Sequence, residues 1–337
     1  MPVYPETEGL SSRWLRYKIQ PLLKYIYNIK DYLPEKIKRN QDLVGLEAAV
    51  RTVHFPENTF ELKKAKKRIA FDELFLLQLK VLIKKLEYQK EKAPSIKFQE
   101  GLSKKFVQSL PFRLTEAQRK SSWEIIQDIG KDTPMNRLLE GDVGSGKTVV
   151  SCFAMFLVAK SGFQSAFMCP TEILAKQHYQ RITKILKPFG IKISLLVGGL
   201  KKKDKEGILE KIKQKEAQVV IGTHALIQEG VQFKNLALCV IDEQHRFGVE
   251  QRKRLKEISG DKKTSPHFLS MTATPIPRTL TLTMYGDLDV SILDEMPPGR
   301  QPVVTKLAPK DKREAAYDFI RRKVKKGQQV FVICPLI

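Results

Sequence analysis

The stretch Gly141-Asp142-Val143-Gly144-Ser145-Gly146-Lys147-Thr148 decides the fold, because it fits the pattern G-x-x-x-x-G-K-[ST] at every constrained position. The glycines let the backbone wrap closely around phosphate oxygens, and free N–H groups at the start of a following helix favour an anion. Residues 137–140 predict a short strand and the apolar residues 149–158 predict a buried helix, which is the context that such a loop requires. The stretch therefore predicts a nucleoside triphosphate site, with a chance glycine-rich turn as the alternative.

The loop and one residue upstream of it supply the predicted nucleotide contacts. Lys147 would bridge the β- and γ-phosphates, and Thr148 would reach Mg²⁺. Gln118 would contact the adenine edge, because an amide offers both a donor and an acceptor, although a polar residue at a helix start is an equally fair interpretation. The predicted ATP-binding residues are Gln118, Gly141, Asp142, Val143, Gly144, Ser145, Gly146, Lys147 and Thr148.

An apolar strand that ends in carboxylates is the second chemical signal. Residues 238–241 lead into Asp242 and Glu243, which is the placement expected of a Walker B element. Asp242 would hold Mg²⁺ and Glu243 would orient the attacking water, whereas the alternative is a strand that merely ends in a polar turn. Gln244 and His245 would sense the γ-phosphate, although a histidine at a strand end often has a structural role. The predicted catalytic residues are Lys147, Asp242, Glu243 and Gln244.

Other strand ends carry hydroxyl and amide groups that would contact DNA. The stretch 170–178 follows one predicted strand and the stretch 222–226 follows another, so free N–H groups at these junctions would hold backbone phosphates. Helix capping by the threonines is compatible with that role. Two further threonines end a third strand, and their hydroxyls would link the nucleotide site to moving parts. The predicted DNA-binding or coupling residues are Pro170, Thr171, Gly222, Thr223, His224, His245, Thr272 and Thr274.

The chain after Pro111 alternates short β-rich runs with helices, which is typical of an α/β fold with a parallel sheet and crossover helices. Residues from Leu10 to about Lys105 have apolar side chains at helical spacing and predict a helical linker. The basic run 63–68 of this linker would be a solvated helix face, and the alternative is a contact to phosphates. The predicted strands are 137–140, 165–169, 193–197, 219–221, 236–241 and 267–271.

A Pro- and Gly-rich segment at 294–302 indicates a second linker, and a new unit is expected after it. Residues 303–307 and 329–334 predict strands on either side of a helix at 312–325. Because one β-α-β unit cannot close a core, the chain is expected to stop inside a second α/β domain. The predicted domains are a helical linker at 1–110, an ATP-binding lobe at 111–298 and the beginning of a second lobe at 299–337.

The charge balance indicates a large anionic partner. Among 337 residues, 60 Lys and Arg outnumber 37 Asp and Glu, which gives a net charge of +23 and a pI near 9.7. Residues 1–110 contain 22 basic and 13 acidic side chains, so the excess is spread along the chain and fits nucleic acid better than one pocket. A basic surface that serves only solubility is the alternative.

Zinc, disulfides and membrane insertion are not indicated. The four cysteines, Cys152, Cys169, Cys239 and Cys334, have no C-x-x-C spacing and lie in apolar runs. No apolar run approaches the roughly 18 residues of a membrane span, and the first residues have no signal-peptide pattern. The cytoplasm is therefore the expected compartment, and a monomer is the expected state.

Taken in order, the motifs resemble those of the superfamily 2 helicases, and in detail those of the RecG family of bacterial branch-migrating DNA helicases, over essentially the whole chain. The resemblance implies a RecA-like first motor lobe and the start of a second one, with an OB-type wedge domain that would precede residue 1. The stretches that carry it are 141–148, 170–175, 242–249 and 272–280 in the motor, 4–10, 54–56 and 68–74 in the linker, and 297–300 at the junction.

The resemblance implies an enzyme that uses ATP and Mg²⁺ to unwind and branch-migrate forked and Holliday-junction DNA in recombination and repair, near the bacterial nucleoid. The chain alone is expected to bind Mg²⁺-ATP weakly and hydrolyse little of it, since the family's arginine fingers belong to the second lobe. Two alternatives stay open. One is the motor of a transcription-repair coupling factor, against which Glu172 and the Gln244-His245 pair count, and the other is a nucleotide-dependent DNA-binding module that does not unwind.

Overall fold

The fold comes from a computed structural model, which describes residues 2–228, 230–243, 249–261, 264–274, 288–296 and 303–333. The chain divides into two compact units, Met1–Met296 and Pro297–Ile337. The first unit contains a β-sheet and a set of helices that precede it, and the second contains one long helix.

The sheet of the first unit has seven strands among the described residues, in the order β3-β4-β2-β5-β6-β1-β7. Every pair of neighbouring strands is parallel. Such a sheet places all carboxyl ends of its strands at one edge, where open α/β sheets bind ligands. The strands are β1 Asn136–Gly141, β2 Gln164–Met168, β3 Ile193–Leu196, β4 Val219–Gly222, β5 Leu236–Asp242, β6 His267–Thr272 and β7 Asp289–Leu293.

The six strands predicted between residues 137 and 271 are all present. Three of them, β2, β4 and β6, are buried along their whole length, as expected where helices cover both faces of a sheet. The seventh strand, β7, is not among the predicted ones; it lies at the edge of the sheet, and Arg137 of β1 donates a hydrogen bond of 2.9 Å to the hydroxyl of its Ser291. The α/β fold with a parallel sheet and crossover helices is confirmed.

Eleven α-helices lie within the described ranges. Helix α7 begins directly after the phosphate loop and is buried from Val149 to Ala159, as the apolar sequence there predicts. None of the helices in those ranges combines the length and apolar composition that crossing a bilayer requires. The helices are α1 Ser12–Leu22, α2 Glu35–Gln41, α3 Leu46–His54, α4 Thr59–Gln89, α5 Glu100–Ser109, α6 Glu116–Ile129, α7 Lys147–Lys160, α8 Glu172–Leu186, α9 Lys202–Lys213, α10 Val249–Glu257 and α11 Arg313–Lys325.

The predicted helical linker contains α1 to α5, and its longest helix, α4, is anchored by a buried arginine. Arg68 is fully buried and donates two hydrogen bonds to Asp31, at 2.7 and 2.9 Å, one to Asp72 at 2.9 Å and one to the Val44 carbonyl at 2.8 Å. The basic run 63–68 is therefore not a solvated face throughout. Its last residue is the centre of an ion network, because a buried guanidinium needs carboxylate partners.

The second unit confirms the predicted helix, α11, but not the two strands beside it. Residues 303–309 and 328–333 have no regular secondary structure. A strand exists only where its backbone groups bond to a neighbouring strand, and the described residues of this unit contain no such neighbour.

Candidate functional site

The predicted phosphate loop connects β1 to α7 at the carboxyl edge of the sheet. Gly144 and Gly146 have φ values of 84° and 96°, a backbone region that favours glycine. A Cβ added at Gly146 would lie 2.2 Å from Nε2 of Gln118, and one at Gly141 would lie 2.8 Å from Cβ of Leu293. Glycine is thus required here by conformation at 144 and 146 and by space at 141 and 146.

The charged and hydroxyl groups of the loop are placed at its mouth. Lys147 Nζ donates hydrogen bonds of 2.6 Å to the Gly141 carbonyl and 3.0 Å to the Asp142 carbonyl. Thr148 lies beside it in the first turn of α7 and is half-buried. The Ser145 hydroxyl is buried and has no hydrogen-bond partner among the described residues. These groups form a polar cradle at a helix N-terminus, which suits a phosphate chain.

Gln118 is buried between α6 and the loop rather than displayed on the surface. Its side chain accepts a hydrogen bond from Thr115 N at 3.0 Å in a capping box and donates one to the Ser145 carbonyl at 2.8 Å. An amide has two N–H groups and two oxygen lone pairs, so these bonds use half of its capacity. The predicted adenine contact stays a prediction, and the observed contact ties Gln118 to the loop.

Asp242 ends β5 two strands away from the phosphate loop. The strand between them is β6, whose Met271 pairs with Leu139 of β1 on one side and with Asp242 on the other. Asp242 therefore lies level with Leu139, two residues before the end of β1, and about 10 Å across the sheet from it at the usual strand spacing. Glu243 follows with a left-handed φ of 55°, so the chain turns out of the strand at this residue.

A histidine that the sequence did not single out holds Asp242. His178 Nε2 lies 3.0 Å from Oδ2 of Asp242, and the imidazole packs against Phe167 with ring centroids 4.8 Å apart. The sequence around His178 contains a pattern that could have identified it. Ala175 and Ile182 flank it at helical spacing and are buried on the same face of α8, so a histidine in that stripe needs a buried polar partner.

The residues predicted to contact DNA lie at the same edge of the sheet, after β2 and β4. Thr171 caps α8 by accepting a hydrogen bond from Leu174 N at 3.3 Å, whereas Thr223 makes no side-chain cap to the short 3₁₀ helix that begins at His224. A Cβ at Gly222 would lie 2.2 Å from the Leu196 carbonyl. Glycine is therefore required at 222 for packing between β4 and β3, whatever its role toward DNA.

Thr272, which ends β6, and Thr274, which follows it, bond to one another. Their hydroxyl oxygens, Oγ1 of Thr272 and Oγ1 of Thr274, are 3.0 Å apart, and Thr274 N donates to Oγ1 of Thr272. Since β6 separates β1 from β5, these hydroxyls lie on the strand between the phosphate loop and Asp242. Pro170 follows β2 and is half-buried. Gln244 and His245, also predicted as site residues, lie outside the described residues.

The groups present fit a magnesium nucleotide. The hydroxyl of Thr148 and the carboxylate of Asp242 are oxygen donors, which Mg²⁺ prefers. The loop offers an open backbone cradle and a lysine, both suited to phosphate oxygens. Cys152, Cys169 and Cys239 are buried in the core, and desolvation by burial raises the pKa of each thiol. They have no part in the site.

Comparison with known proteins agrees with this geometry. A family model described as DEAD/DEAH box helicase matches residues 115–283. ATP-dependent DNA helicase RecG of Synechocystis sp. is 46% identical over all of this chain and 40% of its own length, and RecG of Aquifex aeolicus is 46% identical over all of this chain and 44% of its own length. The chain thus spans less than half the length of these relatives.

A solved structure gives the same result at the level of the fold. It is described as RecG bound to a three-way DNA junction, and it is similar to this chain with a TM-score of 0.86 and 43% identity, over 100% of this chain and 45% of that one. The resemblance to RecG that the motifs indicate is confirmed along the whole chain.

Proposed function

The chain belongs to the DEAD/DEAH box helicase family, and from that premise we propose that it works in an ATP-dependent DNA helicase or translocase of the RecG type. Its substrates would be forked and four-way-junction DNA in recombination and repair, in the bacterial cytoplasm near the nucleoid. The high identity to RecG proteins supports the proposal, as does the likeness to a RecG structure that carries a three-way junction.

One observation carries the nucleotide part of the proposal: a glycine cradle at a helix N-terminus shares a sheet edge with a carboxylate that a histidine holds in place. Lys147 and the loop N–H groups bind the phosphates of ATP. Thr148 and Asp242 hold Mg²⁺, which when bound neutralises phosphate charge. Glu243 positions the water that attacks the γ-phosphate, and Gln244 senses that phosphate.

The DNA part of the proposal uses the neighbouring strand ends. Backbone N–H groups at Thr171 and Thr223 bind phosphates of one DNA strand, with Pro170, Gly222 and His224 shaping these turns. Thr272, Thr274 and His245 link this surface to the nucleotide. Residues 111–298 act as the first motor lobe behind a linker at 1–110, and residues 299–337 belong to a second lobe. ATP closes the lobes, hydrolysis reopens them, and each cycle advances the motor along the duplex.

Nucleotide binding by the chain itself tests the proposal. A fluorescent ATP analogue should bind in the presence of Mg²⁺, and Lys147→Ala should weaken binding about 10-fold or more, the usual effect of losing a hydrogen bond to a charged group. Glu243→Gln should leave binding intact and slow any DNA-stimulated hydrolysis about 100-fold or more, because it removes the group that orients water. Equal analogue affinity of the wild-type and Lys147→Ala proteins would rule out the assigned phosphate site.

Branched DNA distinguishes a helicase from a binding module. The protein that contains this chain should separate the strands of a synthetic fork only when ATP is hydrolysed. Retention of the fork without strand separation, at saturating ATP, would instead favour the nucleotide-dependent binding module. Displacement of a stalled RNA polymerase without activity on forks would favour the motor of a transcription-repair coupling factor.

A further inference from the structure

The segment before the motor has a surface that the ATP site does not explain. Residues 11–30 contain five basic side chains and no acidic one, and they also contain one Trp and three Tyr. All four aromatic rings are exposed. Large aromatic side chains are normally covered by the core of a domain, so four exposed rings among lysines and arginines point to a ligand.

The centre of this surface is a patch on α1 formed by Arg13, Trp14, Tyr17 and Lys18, here called the α1 patch. Trp14 is 47% exposed and Tyr17 is 72% exposed. Lys18 Nζ lies 5.6 Å from the ring centroid of Trp14 and 5.6 Å from that of Tyr17. One ammonium group therefore lies against two rings, which shows that the three side chains share one face of the helix.

The helix under the α1 patch is held in place by the residues before it. Ser12 N donates to the Glu6 carboxylate at 2.8 Å, and Arg16 donates to the Pro2 carbonyl at 2.7 Å. Ser11 caps the helix through Trp14 N at 3.3 Å. The guanidinium of Arg16 is thus bonded within this segment, whereas the side chains of Arg13 and Lys18 are exposed. The rings therefore lie on a helix that is held by hydrogen bonds to the residues before it.

The chemistry of the α1 patch selects its ligand. Exposed rings offer faces on which planar groups stack, and the positive charges beside them favour an anion. Single-stranded DNA supplies both, since each unstacked base has a free face and each link carries a phosphate, whereas duplex DNA hides its base faces. The same combination continues into the 3₁₀ helix Leu23–Asn28, where Lys24 Nζ lies 5.1 Å from the Tyr25 ring centroid and Tyr27 is exposed.

We propose that the α1 patch binds single-stranded DNA, with bases stacked on Trp14 and Tyr17 and the backbone held by Arg13 and Lys18. This inference rests on the proposed function, in which a fork supplies an unpaired strand, but the site is separate from the phosphate loop and from the sheet edge. It gives the protein a second contact with DNA that does not depend on ATP.

The chain contains two tryptophans, Trp14 and Trp123, and this makes a direct test practical. In a Trp123→Phe variant, Trp14 is the single indole, so an oligothymidylate of about 15 nucleotides, added without ATP, should quench its emission. A blunt duplex of the same length should quench it far less. In a Trp14→Phe variant, which reports from Trp123 instead, the oligonucleotide should leave the emission unchanged.

Variants of the α1 patch measure its contribution by fluorescence anisotropy of a labelled oligothymidylate. Tyr17→Ala and Lys18→Glu should each weaken binding about 10-fold, the fold-change expected for one lost stacking or phosphate contact. The matched control is Phe60→Ala on α4. Phe60 is 64% exposed and has Lys64 Nζ 4.5 Å from its ring centroid, yet it lies outside the α1 patch. That variant should bind as tightly as the wild type.

Two other outcomes would overturn the inference, and a third would separate it from the proposed function. Binding of the oligonucleotide without any change in Trp14 emission would place the DNA elsewhere and leave the proposed function intact. Sedimentation as a dimer that Tyr17→Ala converts to monomer would show that the α1 patch joins two copies. Normal DNA binding at the α1 patch, together with loss of every ATP-dependent activity, would instead contradict the proposed function but support the DNA site on the α1 patch.

Discussion

Gly146 shows at the scale of one residue why the phosphate loop has its sequence. Its φ of 96° and the 2.2 Å approach of Gln118 Nε2 to an added Cβ both oppose a side chain. In Gly146→Ala, the buried amide of Gln118 would have to leave Ser145, so the cradle would open. We expect the affinity for an ATP analogue to fall about 10-fold or more, because hydrogen-bonded contacts to the charged phosphates would be lost.

Gly190→Ala is the matched control for that substitution. Gly190 also has a left-handed backbone, with φ of 74°, but an added Cβ would meet nothing within 4 Å. It should cost about 1 kcal/mol of unfolding free energy, measured by urea denaturation, because only backbone strain is added. Its analogue affinity should equal that of the wild type. Equal affinities for both alanine variants would show that the space around Gly146 is not what shapes the site.

His178 acts on the metal site through Asp242. With its Nε2 3.0 Å from the carboxylate, it fixes the orientation of the group that is proposed to hold Mg²⁺. His178→Ala should raise the Mg²⁺ concentration needed for half-maximal binding of the ATP analogue by about 10-fold or more, the usual effect of removing such an outer partner. Affinity measured in EDTA should not change, because phosphate contacts to the loop remain. A loss of the same size with and without Mg²⁺ would refute a positioning role.

At the scale of elements, six strands could be predicted because each contains a short apolar run, and in β2, β4, β5 and β6 that run is buried. The edge strand β7 could not, since it mixes exposed and buried side chains and follows no apolar pattern. At 303–307 and 329–334, by contrast, the sequence predicts strands that the described residues do not form. Those runs are apolar enough for strands, but their pairing depends on neighbours that local sequence does not reveal.

The site shows the same division between local and distant information. The phosphate loop could be predicted because the eight residues that define it are contiguous, and Asp242 because it ends an apolar run. The contact between His178 and Asp242 joins residues 64 positions apart, so it depends on how α8 packs on the sheet. The packing role of Gly222 likewise appears only when β3 and β4 lie side by side.

Helix α4 depends on the ion network around Arg68. The hydrogen bonds from Arg68 are the main reason that the pKa of Asp31 is well below its usual range. Arg68→Ala would leave two partly buried carboxylates, Asp31 and Asp72, without their cation. We expect this substitution to lower the free energy of unfolding of the linker by about 3–5 kcal/mol. Urea denaturation, combined with hydrogen exchange of the amides in α1 to α4, measures that loss.

Lys64→Ala, one turn earlier on α4, is the control for Arg68. Its ammonium is partly exposed and lies 3.7 Å from Glu61, so its loss should cost less than about 1 kcal/mol. A second comparison keeps the test informative if Arg68→Ala does not fold. Adding Asp31→Asn to Arg68→Ala should recover part of the loss, because one uncompensated charge is removed. Additive losses in the double variant would mean that the two residues do not form one network.

At the scale of the whole first unit, His267 connects the helical linker to the sheet. It is fully buried on β6, where its Nδ1 accepts a hydrogen bond of 3.0 Å from Met135 N and its Nε2 lies 2.8 Å from the Pro94 carbonyl. Because Met135 N is a donor, the ring must be neutral with its proton on Nε2. Protonation of Nδ1 would break the bond to Met135, next to the start of β1.

The stability of the first unit should therefore fall in mildly acidic solution. Burial lowers the pKa of His267 below the ordinary value of 6.5, although the Pro94 carbonyl and the charge of Asp128 oppose that shift. The unfolded chain then binds a proton that the folded chain does not, so this contribution to stability is complete above pH 6.5 and declines as the pH falls. The loss should reach at most about 1.4 kcal/mol per pH unit from this one histidine. Urea denaturation between about pH 7.5 and pH 5 measures this loss. In His267→Gln, the slope of the unfolding free energy against pH should decrease by the contribution of one proton. An unchanged slope in that variant would assign the acid sensitivity to another group.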